Sequence, residues 1–371
     1  MRIKFYTENN LEHNNKVGST KYIKQIKEYY LTEHKIDMEI IPVNKPKTNI
    51  LIKFIAFINL IFNTIPVQIT YRQKANRNIE TNNSELTFIE GIYLGPFVSD
   101  KNNCILLAQD SLSRLQFSIA SQTKKIFKKL YYIISGYSYL MLELNLYKKF
   151  KKVIFVSGED LKYIESQGDF KNLELLEIGL DFEDLYESNS VPLLEDITKR
   201  YGEYIIFTGN MTYPPNRDAA KILVEKIFPL IREKNITVKL LLVGIESEKF
   251  NDPTNNIYGI GKVESIKEYI GGSQLYISPL FSGSGMKNKI LESFAQKTLT
   301  LASPKSVEGI KSLENNYHYI KCETHNEFSE KVIDILKNPK KYKQIEDLGY
   351  KFVKEKHLFT IKNAKNLGSY L

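Results

Sequence analysis

The chain is 371 residues long, 42% hydrophobic and carries a formal net charge of +9; it is too long for one core, so two domains are expected. Two widely separated cysteines, Cys104 and Cys322, exclude a disulfide framework and suit a reducing cytoplasm. Neither they nor the five separated histidines have metal-ligand spacing, which speaks against a metal-dependent hydrolase.

In chain order, residues 3–6 read as a strand, 19–31 as a helix and 37–42 as a strand. No signal-peptide-like segment is read at the N-terminus. Residues 50–67 (ILIKFIAFINLIFNTIPV) look like a membrane span, but Lys53, Asn59, Asn63 and Pro66 interrupt them. A buried or interfacial amphipathic helix is expected instead. Strands at 86–89 and 104–108, a mostly helical stretch at 112–147 and a strand at 153–156 complete the N-terminal half. Residues 181–201 turn acidic and irregular, the character of a linker. Beyond it, 203–208 is a strand ending at Gly209, 219–231 a helix, 238–243 a strand ending at Gly244, and 275–278 a strand ending at Pro279. These short Leu-rich and β-branched runs have no polar face, so they fit strands buried on both sides. Their alternation with helices predicts parallel doubly wound sheets, which bind ligands off the carboxyl ends of their strands.

The segment directly after one such end, FSGSGMKNKILESF at 281–294, is the best candidate site. Gly283 and Gly285 permit close backbone approach to an anion, and the free N–H groups opening the next helix favour negative charge. Lys287 and Lys289 add cations, while Glu292 can accept hydrogen bonds from sugar hydroxyls. Read alone, the turn is equally an ordinary strand-to-helix loop with solvated lysines.

Eight lysines lie between residues 121 and 152 (124, 125, 128, 129, 148, 149, 151 and 152) against one acid, Glu143. No nucleic-acid motif accompanies them, so no nucleic-acid partner is expected. An anionic membrane surface fits the charge, as does a solvated helix face.

Taken in order, the blocks IIFTGNMTYPPNRDAAKILVEKIFPLI, VKLLLVG, IYGIGKVESIKEYI and LYISPLFSGSGMKNKILESFAQKTLTLASPKSVEGI make residues 205–310 resemble the donor-binding domain of the retaining GT-B glycosyltransferases, group 1 or family 4 type. NTIPVQITYR, QDSLS and KKVIFVSGEDLKYI echo the same family more loosely in the N-terminal half. The resemblance implies an α/β chain of two doubly wound, Rossmann-like domains facing across a cleft: an acceptor-binding domain at 1–185, a nucleotide-sugar donor domain at 186–350, and a helical tail at 351–371 packing back on the first.

The same resemblance implies roles for individual residues. The loop from Gly209 through Asn210 to Asn216 would face the donor diphosphate, and 260–264, with Val263, would pass the nucleotide base. Ser284, Gly285, Met286, Lys287, Asn288 and Lys289 would hold phosphates and sugar, and Glu292 the ribose. Gly18 and Ser19, in the loop after the first strand, would approach the phosphates from the acceptor side.

Two departures from the family stand out. Ser284 occupies the position of a customary Glu that contacts the donor sugar, and Asn210 and Asn216 stand where an Arg and a Lys are usual, leaving the diphosphate to Lys287 and Lys289. Lys289 and Glu292 are therefore the catalytic candidates, together with Asp110. At the end of the CILLAQ strand, Asp110 is either an acceptor-activating base or the N-cap of the following helix.

No cofactor or metal is implied. The co-substrate would be a nucleotide-sugar of UDP or GDP type and the acceptor a glycan or lipid-linked glycan, in bacterial surface polysaccharide synthesis. The enzyme would be cytoplasmic, with peripheral attachment to the inner face of the membrane. A sugar-nucleotide epimerase of the same architecture and a catalytically silent GT-B-like partner subunit or assembly factor are the alternatives; the missing Glu favours the silent one.

Overall fold

Apolar runs five residues long, such as IKFYT and YIIFT, are too short for stable helices and become central strands. The computed structural model describes residues 2–8, 18–44, 46–73, 78–81, 85–176, 179–234, 236–359 and 367–370. The chain forms two units, one of Met1–Ile178, Ser282–Gly285 and Thr360–Leu371, the other of Gly179–Phe281 and Met286–Phe359.

The first unit contains β1 (Ile3–Thr7), β2 (Met38–Pro42), β3 (Leu86–Glu90), β4 (Cys104–Gln109), β5 (Lys152–Phe155) and β6 (Leu173–Leu175). They form one sheet in the order β2-β1-β3-β4-β5-β6, with every pairing parallel. The order reverses between β1 and β3, where two adjacent strands send their connections to opposite faces. The stretch 112–147 splits into helices Leu112–Gln122 and Ile126–Tyr147. At the break, Thr123 Oγ1 donates to the Ile119 carbonyl at 2.8 Å, satisfying an acceptor that the helix end would otherwise expose. The described residues Leu367–Tyr370 lie against this unit. Tyr30 Oη donates to the Leu367 carbonyl at 2.6 Å, and Lys151 Nζ to that of Tyr370 at 2.9 Å.

The second unit contains β7 (Tyr204–Thr208), β8 (Lys239–Val243), β9 (Ile257–Gly261), β10 (Leu275–Ser278), β11 (Thr300–Ala302) and β12 (Ile320–Lys321), ordered β12-β11-β10-β7-β8-β9 and parallel throughout. Counted from β7 this is the 3-2-1-4-5-6 order of dinucleotide-binding sheets, with its reversal between β7 and β10. Successive side chains alternate between two cores. Ile205, Phe207, Leu240, Leu242, Ile277 and Leu301 enter one, while Tyr204, Ile206, Leu241, Val243, Tyr276 and Ala302 enter the other. The lack of a polar face in these strands is thus a consequence of having a core on each side. Truncating Phe207, which has no exposed surface, to Ala would cost about 3–5 kcal/mol.

Four strands escape a reading by apolar runs. β6, β11 and β12 have only three, three and two residues, and β9 is interrupted by Gly259 and Gly261. Residues 181–201 are less irregular than their composition suggests: 3-10 turns at Phe182–Asp184 and Tyr186–Ser188 lead into the helix Val191–Tyr201, which buries Ile197 and Tyr201. The helix expected at 219–231 is helical from Pro214 to Arg232, with a π-turn at Leu223–Ile227. Cys104 and Cys322 are both buried and free.

Candidate active site

In the second unit the candidate residues gather at the reversal point of the sheet. The helix Asn288–Ala295 follows β10 and runs beside the carboxyl end of β7. Its second residue, Lys289, sends Nζ 2.9 Å to the carbonyl of Thr208, the last residue of β7, and 2.7 Å to Asn216 Oδ1. The same Nζ lies 4.5 Å from the centroid of the Phe207 ring, within cation–π range. Asn216 Nδ2 in turn donates to the Asn210 carbonyl at 3.0 Å, which closes the Gly209–Asn216 loop on itself.

Gly209 lies inside this cluster. A Cβ there would meet Asn216 Nδ2 at 2.8 Å and Lys289 Nζ at 3.0 Å, so a side chain at 209 would displace the lysine. Gly244, at the end of β8 with φ +132°, is tighter still, because a Cβ would lie 2.1 Å from the Gly209 carbonyl oxygen. At these two glycines the carboxyl ends of β7 and β8 pack tightly, backbone against backbone, and both residues remain partly exposed.

Burial depresses the Lys289 ammonium to about 7. Glu292 opposes that shift and Lys287 reinforces it. Glu292 lies one turn further along the helix on nearly the same face as Lys289, and Lys287, at the N-cap position, is buried. This edge thus combines a lysine of adjustable charge, a second lysine, a carboxylate and two partly exposed glycines. Val263 is partly buried just beyond the end of β9. Met286 packs against the same core as Val263, and Asn288 opens the helix.

The glycine turn behaves differently from the anion cradle expected of it. Ser282–Gly285 belongs to the first unit, and its two glycine amides are already engaged. Gly283 N–H donates to Ser118 Oγ at 3.1 Å and Gly285 N–H to Asp160 Oδ2 at 2.7 Å. Gly285 has φ +74°, and a Cβ there would lie 2.0 Å from Asp110 Oδ1. Asp110 and Asp160 flank the turn, and two carboxylates are the wrong neighbours for a phosphate. In this arrangement the cationic side of the segment is its lysines. Ser284 is buried.

Asp110 does not cap the following helix. Ser111 does, accepting from Arg114 N–H at 3.2 Å, because the left-handed Gln109 (φ +65°) turns the chain one residue before Asp110. Asp160, buried and paired with Arg114 at 3.1 Å, went unrecognised in the sequence although it lies in the first turn of a helix directly after β5. So did Glu90, buried at the reversal point of the first sheet, where it accepts from Thr7 Oγ1 and from Gln109 Nε2 at 3.1 Å. Asp160 lies within the block KKVIFVSGEDLKYI and Glu90 in no quoted block; the partners of both are distant in the chain and are brought in by the fold. Gly18 and Ser19 are not in a loop. They begin the helix Gly18–His34, and residues 9–17 before them lie outside the described residues.

Among the described residues no cluster of three or more His, Cys, Asp or Glu could hold a metal ion, and no helix is long and apolar enough to cross a membrane.

Comparison with known proteins supplies the context. Residues 202–338 match the family model described as glycosyl transferases group 1. An uncharacterized 44.6 kDa protein in the cps region of Klebsiella pneumoniae is 18% identical over 315 residues, which cover 79% of this chain and 76% of that protein. A glycosyltransferase from Rickettsia africae superposes with a TM-score of 0.59 at 16% identity, covering 100% of this chain and 97% of that one. Anabaena HepE, solved in complex with UDP and glucose, gives a TM-score of 0.62 at 12% identity over 100% and 98% of the two chains. The chain therefore has the GT-B fold, and residues 202–338 within it match the glycosyl transferases group 1 model.

Proposed function

We propose that this protein transfers a sugar from a nucleotide-sugar to a glycan or lipid-linked glycan, with retention and without a metal, in the assembly of a bacterial surface polysaccharide. The observation that carries the reading is the lysine-bearing edge at the β7/β10 reversal point, inside the matched group 1 domain. Glycosyl transfer from such a donor needs stabilisation of a departing diphosphate and of a cationic sugar. Fixed cations and helix N–H groups meet the charge developing on the diphosphate, without a protein nucleophile. Lys287 and Lys289 meet the diphosphate beside Gly209 and Gly244, with Asn210 and Asn216 shaping that loop. Glu292 accepts from the ribose hydroxyls, Val263 lines the base, and Ser284 to Asn288 border the sugar. Gly18 and Ser19 approach the phosphates, and Asp110 serves as the base for the acceptor hydroxyl.

The uridine nucleotide bound by HepE makes UDP the first donor nucleotide to test, with GDP the alternative. The cps-region relative supports capsule-type chemistry. On this reading residues 1–185 handle the acceptor and 186–350 the donor, and the enzyme works in the cytoplasm at the inner face of the membrane.

A thermal-shift screen against uridine, guanosine, thymidine and cytidine nucleotides tests donor binding, since stabilisation grows as the logarithm of ligand over dissociation constant. Acceptor-dependent release of free nucleotide then tests transfer. Interconversion of two sugar nucleotides without acceptor would replace the reading with an epimerase. Binding without any turnover would replace it with a silent subunit, the alternative that Ser284 in the Glu position favours.

A further inference from the structure

The exterior of the first unit carries an apolar face unrelated to the sheet edges. Helix Ile50–Phe62 presents Ile50, Phe54, Phe57 and Ile61 to solvent at intervals of four, three and four residues, a stripe along one side. Phe54 is 62% and Phe62 75% exposed, whereas only Ala56 and Leu60 are buried. The outward side, which on an ordinary surface helix is polar, is here the more aromatic one. Helix Ile126–Tyr147 packs against it, with Ser138 Oγ donating to the Thr64 carbonyl at 2.6 Å. The first turns of this second helix expose Ile126, Leu130 and Phe127, the last at 87%. Large exposed apolar patches on soluble domains mark interaction sites.

Charge selects the occupant. Lys124, Lys125 and Lys128 are exposed at the head of the second helix and Lys53 on the first. Residues 41–73 contain no Asp or Glu. The one acid of 121–152, Glu143, is buried and turned inward to accept from Leu112 N–H at 2.7 Å. A second copy of the chain would set these lysines against their own kind, a repulsive pairing. An anionic bilayer instead offers phosphates to the lysines and an acyl boundary to the phenylalanines. The first helix, at roughly 20 Å, is shorter than the roughly 30 Å hydrocarbon layer, so it lies in the interface plane.

We propose that helix Ile50–Phe62 and the opening turns of helix Ile126–Tyr147 form a docking face that inserts into the interface of an anionic lipid bilayer. This does not depend on the glycosyl-transfer reading, since vesicle binding is measured without donor or acceptor.

The chain contains no Trp, so Phe57→Trp provides a single fluorescent reporter on the exposed stripe. With vesicles of phosphatidylcholine and phosphatidylglycerol the protein should co-sediment, and the reporter should shift to the blue and be quenched by brominated acyl chains. Phosphatidylcholine alone should bind weakly. Replacing Phe54, Phe62 and Phe127 together by Ser should lower partitioning about tenfold or more, and Lys124→Gln, Lys125→Gln and Lys128→Gln roughly fivefold each, all with unchanged thermal unfolding because these side chains are exposed. Co-sedimentation without blue shift or quenching would reduce the face to charge adsorption and overturn the insertion. A blue shift without lipid that tracks a concentration-dependent mass would assign the face to a second copy. Absence of sedimentation with either vesicle would remove the proposal altogether.

Discussion

The state of Lys289 makes the donor site testable through its protons. Burial brings the ammonium to about 7, so near neutral pH it is about half charged in the free protein. An incoming diphosphate favours the charged form and raises the pKa. The bound state then holds more protons than the free state, and binding must weaken as pH rises. If the bound pKa returns to about the ordinary 10.5, the dissociation constant grows roughly fiftyfold between about pH 7 and pH 9, while proton uptake rises from about one half to about one. Folding stability moves the other way. The folded pKa lies below the ordinary 10.5, so the unfolded chain binds more protons between about 7 and 10.5 and the lysine's burial cost fades as pH rises through that window.

The assay is titration calorimetry with the sugar nucleotide that gives the largest thermal shift, UDP-glucose being the first tried. Two buffers of different ionisation enthalpy would count the protons. Lys289→Met keeps the packing of the stem but removes the donor to Thr208 and Asn216, costing about 1–3 kcal/mol for each acceptor left unsatisfied. It should abolish the pH dependence and reduce transfer roughly hundredfold, mainly in kcat, as loss of a transition-state charge does; Lys287→Met should cost less. A dissociation constant flat from pH 7 to 9, no buffer-dependent heat and an unimpaired Lys289→Met variant would together remove Lys289 from the phosphate site.

Further outcomes follow from neighbouring residues. Glu292→Gln removes the charge that holds the Lys289 pKa up, so the midpoint of the pH dependence should move below about 7 and nucleotide affinity should fall measurably; unchanged calorimetric affinity and midpoint would take Glu292 out of the site. Gly285→Ala, which combines φ +74° with a 2.0 Å approach to Asp110 Oδ1, should destabilise by about 1–3 kcal/mol in urea unfolding, and adding Asp110→Ala should recover the steric part while leaving the backbone strain. Asp110→Asn should slow transfer by about 10²–10⁴-fold with nucleotide affinity intact, and wild-type rates would reassign Asp110 to structure. Burial raises Glu143 to about 7 from an ordinary 4.5, so the folded state binds more protons in that window and stability should fall as pH rises through it; Glu143→Gln should flatten that slope in urea midpoints measured across pH.

Strands and the glycine turn were legible because their signals are local. A run such as YIIFT has no polar side, and that alone says both faces are buried. Strands of two or three residues carry too little pattern to be read, which is why β6, β11 and β12 were missed. Gly283 and Gly285 were read as letting backbone approach an anion; that their amides are taken was not legible, because the acceptors, Ser118 and Asp160, are 165 and 125 residues away in the chain. Asp110 could be read as a cap from its position before SLSRL. Gln109 at φ +65° passed that role to Ser111, and nothing in the local sequence announces a left-handed glutamine.

Composition and short-range pattern determined by themselves that this chain builds parallel α/β sheets, that a Gly–Lys–Glu segment opens a helix at a strand end, and that residues 50–67 carry an apolar helix, which the structure ends at Phe62. Tertiary structure alone decided which groups meet. Lys289 reaches Thr208 across 81 residues because the strand order places β10 beside β7. Glu90 meets Thr7 across 83 because β3 lies beside β1. The exposure of Phe54 and Phe62 was equally hidden, since an apolar sequence says that a helix would gain by being covered, and only the packing of its neighbours determines which side is left uncovered.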